Sequence, residues 1–176
     1  MTARPLAPVF LSYASQDAEA AKRLAEALRT TGVEVWFDLE ELRGGDEWDR
    51  KIKQQIRECA LFVPLISAKT QGRPEGYFRL EWHLAEQRSL LIAKGRAFIV
   101  PVCVDDTREG EALVPDAFLS VQWSRPDSDA RLAQFVAQVQ RLLAQPQSSS
   151  RRSSPAGAAT VATPEMPVIP DFELLR

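Results

Sequence analysis

An excess of charge of either sign is missing from this chain: 22 basic residues stand against 24 acidic ones, for a net charge of −2 at pH 7. That balance supplies no electrostatic footprint for a nucleic-acid backbone or an anionic membrane, so neither is expected as a partner. Long hydrophobic runs are missing too. None approaches the ~20 apolar residues that cross a bilayer, and Met1 to Pro8 lacks the charged-then-apolar build of a secretory signal, so the expected compartment is the cytoplasm. Cysteine is scarce. Cys59 and Cys103 lie in or beside apolar stretches without ligand-like spacing, which reads as two small buried thiols and argues against a disulfide or a zinc site. The single histidine, His83, comes two residues after Glu81 and projects away from it on a helix, so a hydrolase triad is poorly supported.

What is present is enough for one well-packed domain: 176 residues, 45% hydrophobic and 26% charged, too few for two ordinary domains. The apolar pattern changes period repeatedly. "VFLSY" from Val9 is a short strand-like run, and in the following "ASQD" Ser15 is placed to cap a helix whose positive end suits Asp17 and Glu19. Ala21, Leu24, Ala25 and Leu28 then recur at helical spacing, with Gly32 as a left-handed stop. "VEVWF" reads as a second strand, and "DLEELRGGDEW" as a polar loop leading into a helix whose Trp48, Ile52, Ile56 and Cys59 share one face. "LFVPLIS" and "AFIVPVCV" are continuously apolar, as strands buried on both faces are. A fifth run, "FLSVQW", precedes a closing amphipathic helix carrying Leu132, Phe135, Val136, Val139, Leu142 and Leu143.

This alternation predicts an α/β, flavodoxin-like sandwich: a five-stranded parallel sheet with helices on both faces and functional sites at the carboxyl ends of the strands. The strand ends narrow the chemistry. A phosphoacceptor domain needs acidic residues after its first and third strands to hold magnesium, whereas this chain places "SYAS" and "LIS" there. No glycine-rich loop follows the first strand to bring amides onto phosphates, and no G-x-S-x-G elbow is present.

An acidic candidate remains in "EGYFRLEWHLAEQR", which starts at Glu75. At about 100° per residue, Phe78, Trp82, Ala85, Ser89 and Ile92 share one face, while Tyr77, Glu81 and Arg88 lie to one side of it. Glu81 therefore borders the buried face among three large rings. Periodicity alone leaves two readings open, a surface glutamate paired with Arg88 or Gln87 and a functional carboxylate.

Four blocks in this order, "VFLSYASQD", "GVEVWFDLEELRGGDEWDRKIKQQI", "LFVPLIS" and "GYFRLEWHLAEQR", resemble a bacterial Toll/interleukin receptor (TIR) domain, over roughly Pro8 to Gln145. The resemblance implies either a scaffold that binds other TIR domains or an enzyme that cleaves the nicotinamide glycosidic bond of NAD+, its substrate, without a cofactor or metal. Glu81 falls on the position of the catalytic glutamate. Tyr77, four residues earlier, takes the place usually held by tryptophan. By the same resemblance Asp38, Arg43 and Trp48, on or beside the loop 39–48, and Tyr13, at the end of the first strand, flank the substrate, and self-association with other TIR domains is implied. The chemistry suits one carboxylate: nicotinamide leaves as a neutral pyridine from a cationic precursor, so no acid is needed, and an oxocarbenium-like ribose remains to be stabilised.

Each of these residues has a plainer reading. Asp38 could brace the loop after its strand, Arg43 could be a solvated cation, and Trp48 and Trp82 could be core packing. Gly44 and Gly45 could serve the turn alone, or loop mobility and partner docking.

After Gln145 the composition turns to Ser, Pro and Ala. The expected organisation is an N-terminal extension over 1–7, the domain over 8–145, a disordered linker over 146–170 and, from 171 to 176, the start of a following domain. The last residues, "VIPDFELLR", resemble the opening strand of bacterial protein-kinase domains, so a C-terminal kinase-like domain in a longer chain is one expectation and an unstructured tail the other. Deleting Pro146 to Arg176 should then shift the melting temperature by less than about 2 °C, within the range of changes that touch no core. A larger loss in differential scanning fluorimetry would show that the tail packs on the domain.

Overall fold

The computed structural model of the chain describes residues 8–36 and 45–144. Of the positions singled out above, Asp38, Arg43 and Gly44 lie outside the described residues, as do the N-terminal extension and everything from Gln145 on, including the linker and the kinase-like run.

Among the described residues four strands form one parallel sheet in the order β2-β1-β3-β4, with β1 at Val9–Ser12, β2 at Val35–Trp36, β3 at Leu61–Ile66 and β4 at Val102–Cys103. A parallel sheet needs a crossover between successive strands, and the helices supply them. They are α1 (Ala18–Arg29), α2 (Asp46–Glu58), α3 (Ala68–Gln71), α4 (Tyr77–Ser89), α5 (Asp116–Leu119) and α6 (Asp129–Ala144). Helix α1 ends where Gly32 adopts φ +88°, a left-handed conformation that a side chain would resist.

Alternation along the strands divides the core in two. Val9, Leu11, Val63 and Leu65 pack with α1 and α6 through Ala21, Leu24, Leu28, Phe135 and Val139. Phe10, Phe62 and Ile66 point the other way, onto Ile52 and Ile56 of α2, Phe78 and Trp82 of α4, and Phe118 of α5. On this second face an aromatic row crosses the sheet. The ring of Phe10 stacks on Trp36 at 4.8 Å and on Phe62 at 5.4 Å, and Phe62 meets Phe98 at 6.4 Å.

The expected fifth strand is not formed. In "FLSVQW", Phe118 and Leu119 belong to helix α5, and only Ser124 reaches the sheet, through a bridge to Val102 in which Cys103 N–H donates to Ser124 O at 2.9 Å. Asp116, following Pro115, starts the helix, and the chain needs a turn of it to bury Phe118 against Trp82 at 5.4 Å. Continuous apolarity did not separate strand from buried helix. The run "AFIVPVCV" is likewise interrupted, pairing at Ile99 and again at Val102–Cys103. Phe62 N–H donates to Phe98 O and Val104 N–H to Ile66 O, so Pro64, two residues from each, has no N–H to offer toward β4. Ser15 does not cap α1 either: Ser15–Asp17 form a 3₁₀ turn, with Asp17 at the cap position and no side-chain cap bond.

Phe62 sits at the centre of the row and is fully buried. Phe62→Ala should cost about 3–5 kcal/mol, as large-to-small changes in close-packed cores do. Urea titration followed by circular dichroism checks this through a lowered midpoint with an unchanged slope.

Candidate active site

The carboxyl end of β1 carries the site. On the face of β1 turned toward α4, Phe10 and Ala14 are apolar and Ser12 lies between them. Ser12 is wholly buried, and its hydroxyl donates to Glu81 Oε1 at 2.7 Å. Glu81, on the second turn of α4, is itself only 9% exposed. A buried carboxylate without donors is costly, so the arrangement on β1 and α4 is specific.

Helix α4 starts where it does because the chain can approach the ring of Phe78 at Gly76. A Cβ there would lie 2.8 Å from Phe78 Cε1. With Phe78, Trp82 and Ala85 anchored in the core, the helical turn sets Glu81 at its edge, beside the sheet. Of the two expected surface partners neither takes it: Arg88 Nη1 donates to Ile56 O at 2.8 Å and to Cys59 O, with its guanidinium 4.3 Å over the ring of Phe98, and Gln87 lies 3.2 Å from His83 Nε2.

Glu81 lines a small cleft of about 30 Å³ together with Leu11, Tyr13, Trp36, Trp48, Ile52 and Tyr77. Tyr13, just past β1, is buried. Trp36 and Trp48 meet at 5.8 Å. Tyr77 is 41% exposed, and its hydroxyl donates to Asp49 Oδ1 at 3.0 Å, which joins α4 to α2. That bond and the negative charge of Asp49 raise the Tyr77 pKa, keeping the phenol protonated. Of the six residues proposed from sequence, the structure thus brings Glu81, Tyr13, Trp48 and Tyr77 to one cleft, while Asp38 and Arg43 lie outside the described residues. Trp82 is core instead, 1% exposed.

Sequence reasoning missed Ser12, Trp36 and Asp49. A signal for Ser12 was available: a hydroxyl inside the otherwise apolar "VFLSY" needs an acceptor once the strand is buried. The other two are side-chain meetings between elements far apart in sequence.

A second polar cluster fixes the turn after β1. Ser67 Oγ donates to Asp17 Oδ2, Lys69 Nζ donates to Gln16 O at 3.1 Å, and Arg73 Nη1 donates to Gln16 Oε1 at 2.9 Å. Ser67 also forms a capping box with Thr70 at the start of α3. Burial raises the Asp17 pKa above its ordinary value, against the opposing pull of Ser67 and Lys69. Among the described residues no group of three or more His, Cys, Asp or Glu could hold a metal ion, and no helix is long and apolar enough to cross a membrane.

The chain belongs to the TIR domain family, whose profile matches residues 9–139. It is 31% identical over 105 residues to the NAD(+) hydrolase PdTIR of Paracoccus denitrificans, covering 58% of this chain and 33% of that protein. It is 42% identical over 59 residues to the 2′ cyclic ADP-D-ribose synthase BtTIR of Bacteroides thetaiotaomicron, covering 33% of this chain and 21% of that protein. The chain therefore spans a third or less of the length of these curated relatives. Among solved structures, the TIR domains of the activated Roq1 resistosome superpose with a TM-score of 0.56 at 17% identity, over 77% of this chain and 98% of that one. The TIR domain of the Toll-related receptor TRR-2 of Hydra magnipapillata gives 0.53 at 14% identity, over 77% and 98%. At such identities these two speak for the fold alone.

The raised pKa of Asp17 sets the sign of a pH effect. The folded protein binds this proton more tightly than the unfolded chain, so the contribution to stability is full below the ordinary value of 3.8 and is lost as pH rises through the raised one. Relative to Asp17→Asn, which has no proton to bind, wild type should gain melting temperature as pH falls from 7 toward 4. A constant difference in a pH series of thermal melts would show that burial does not control this carboxyl.

Proposed function

We propose that this domain cleaves the bond between nicotinamide and ribose in NAD+, with Glu81 as the catalytic carboxylate and the aromatic lining of its cleft as the binding surface. The observation that carries the reading is the burial of Glu81 in a cleft walled by Tyr13, Trp36, Trp48 and Tyr77. The names of the relatives, an NAD(+) hydrolase and a 2′ cyclic ADP-D-ribose synthase, support the same bond as the target.

The chemistry follows from the residues. Heterolysis of the C1′–N bond gives its electron pair to the pyridine nitrogen, which loses its positive charge, so the leaving group departs neutral and no proton donor is required. Positive charge develops on the ribose ring, and a carboxylate held beside it in an environment of low polarity lowers the barrier. Tyr77 and Trp48 offer ring faces for stacking, and the walls keep bulk water off the developing cation. The cation is then captured by water, which releases a proton and yields ADP-ribose, or by a nucleophilic group of the same molecule, which yields a cyclic isomer. Asp38 and Arg43 are assigned to the rim of the same site by resemblance. Self-association with other TIR domains is part of the proposal, and a TIR-TIR module without catalysis is the competing reading.

Glu81→Ala and Glu81→Gln should lower nicotinamide release from NAD+ by at least about 100-fold, the scale of removing one preorganised electrostatic group, with the circular dichroism spectrum unchanged. Chromatographic quantification of nicotinamide at high protein concentration checks this. Cleavage by Glu81→Ala at the wild-type rate would remove Glu81 from the chemistry, and no cleavage by concentrated wild type would favour the binding module.

A further inference from the structure

We propose that Ser12 is the positioning residue for the Glu81 carboxylate, a proposal that rests on the NAD+-cleaving role given to Glu81. The hydroxyl is out of place for packing. Its neighbours on the same face of the sheet are Phe10, Ala14, Phe62 and Ile66, and an alanine at position 12 would fill this small site without a polar atom to satisfy. Ser12 is 0% exposed, so water cannot serve its hydroxyl, and its bond to Glu81 Oε1 at 2.7 Å has the ordinary length of an O–H···O hydrogen bond.

The two residues are 69 positions apart and are held by different constraints. Ser12 is fixed by its parallel pairing with Pro64 of β3, in the centre of the sheet. Glu81 is carried by α4, on a side chain with three rotatable bonds. A rigid donor on one carboxylate oxygen restricts the rotamers open to Glu81, so the sheet helps to set the direction of the carboxylate. Because Glu81 also lines the cleft, that aim is toward whatever occupies it. The same bond favours the ionised form, since a hydroxyl donates more strongly to a carboxylate than to a carboxylic acid. Ser12 touches no reacting atom; it acts through Glu81.

Ser12→Ala removes the donor, and Ser12→Thr keeps it on a β-branched residue suited to a strand. With NAD+ as substrate, Ser12→Ala should lower kcat by roughly 10- to 100-fold, the loss expected for one hydrogen bond to a charged group, and change KM by less than about 3-fold. The acid limb of its pH profile should move to higher pH, and Ser12→Thr should restore the wild-type limb. An unchanged kcat and acid limb in Ser12→Ala, with wild type active, overturns the proposal. Thermal melts give a second decision that needs no activity. The bond to the ionised form is weakened when the carboxylate takes up its proton, so the melting-temperature gap between wild type and Ser12→Ala should be larger at pH 7 than at the lowest pH at which both proteins stay folded. An equal gap at both values makes Ser12 a packing residue and overturns the proposal. A wild type that releases no nicotinamide defeats the functional reading instead, and the melts still decide what Ser12 does.

Discussion

A carboxylate cannot be buried beside a sheet without something to hold its charge. Removing such a group from water costs several kcal/mol, and Glu81 is nine-tenths out of solvent. Ser12 supplies a donor from the central strand, and that single contact ties together three levels of the structure. Strand alternation puts Ser12 on the correct face, helical phase puts Glu81 at the edge of α4, and the packing of Phe78 and Trp82 fixes the distance between the two elements. A slip of one residue in β1 would turn Ser12 toward α1 and α6 and put Leu11 under the carboxylate.

Guanidinium groups make the surrounding scaffold rigid, and they do so on main-chain carbonyls more than on acids. Arg79 stands 5.0 Å over Phe78 and 5.2 Å over Trp82 while donating to Thr70 O, Arg73 O and Leu113 O. It thereby satisfies the carboxyl end of α3, which a four-residue helix cannot do internally. Arg88 does the same for the end of α2 at Ile56 and Cys59, and Arg125 reaches Asp105 O and Thr107 O. The salt bridges Arg23–Asp129 and Arg131–Asp127 are exposed by comparison, the kind of pair worth under about 1 kcal/mol. Arginine is suited to the first role because its planar fork stacks on rings and donates at its edge at the same time.

Much of this was legible in the sequence. The periods of "VFLSY", "LFVPLIS" and the α1 and α6 segments gave the layers, and the phase of Glu81 against Phe78 and Trp82 gave its border position. The fifth strand was not legible, because an apolar run of six residues is compatible with a buried turn of helix and only the demand of Phe118 for the Trp82 pocket decides it. Nor was the hydrogen bond from Ser12 to Glu81. Arg88 stands two turns along the same helix, about 10 Å away by rise and so outside the spacing at which helical side chains pair, and its guanidinium goes to the carbonyls at the end of α2, an acceptor set that exists only after α2 and α4 pack. Side-chain networks of this kind depend on distances between elements, which periodicity does not carry.

The aromatic wall of the cleft shows how one residue change moves control to a neighbour. Tyr77 occupies the position at which the resemblance leads one to expect an indole, and its ring is half exposed, so packing alone does not fix it. Its hydroxyl is tethered to Asp49 instead, one residue after Trp48, which lines the same cleft. Two of the rings facing the cleft therefore depend on one helix, α2, one by covalent attachment and one by hydrogen bond. Asp49 raises the Tyr77 pKa, so the donor that makes the tether persists across the physiological range. A stacking face is kept, and its orientation is governed by the position of α2 rather than by the core beneath α4.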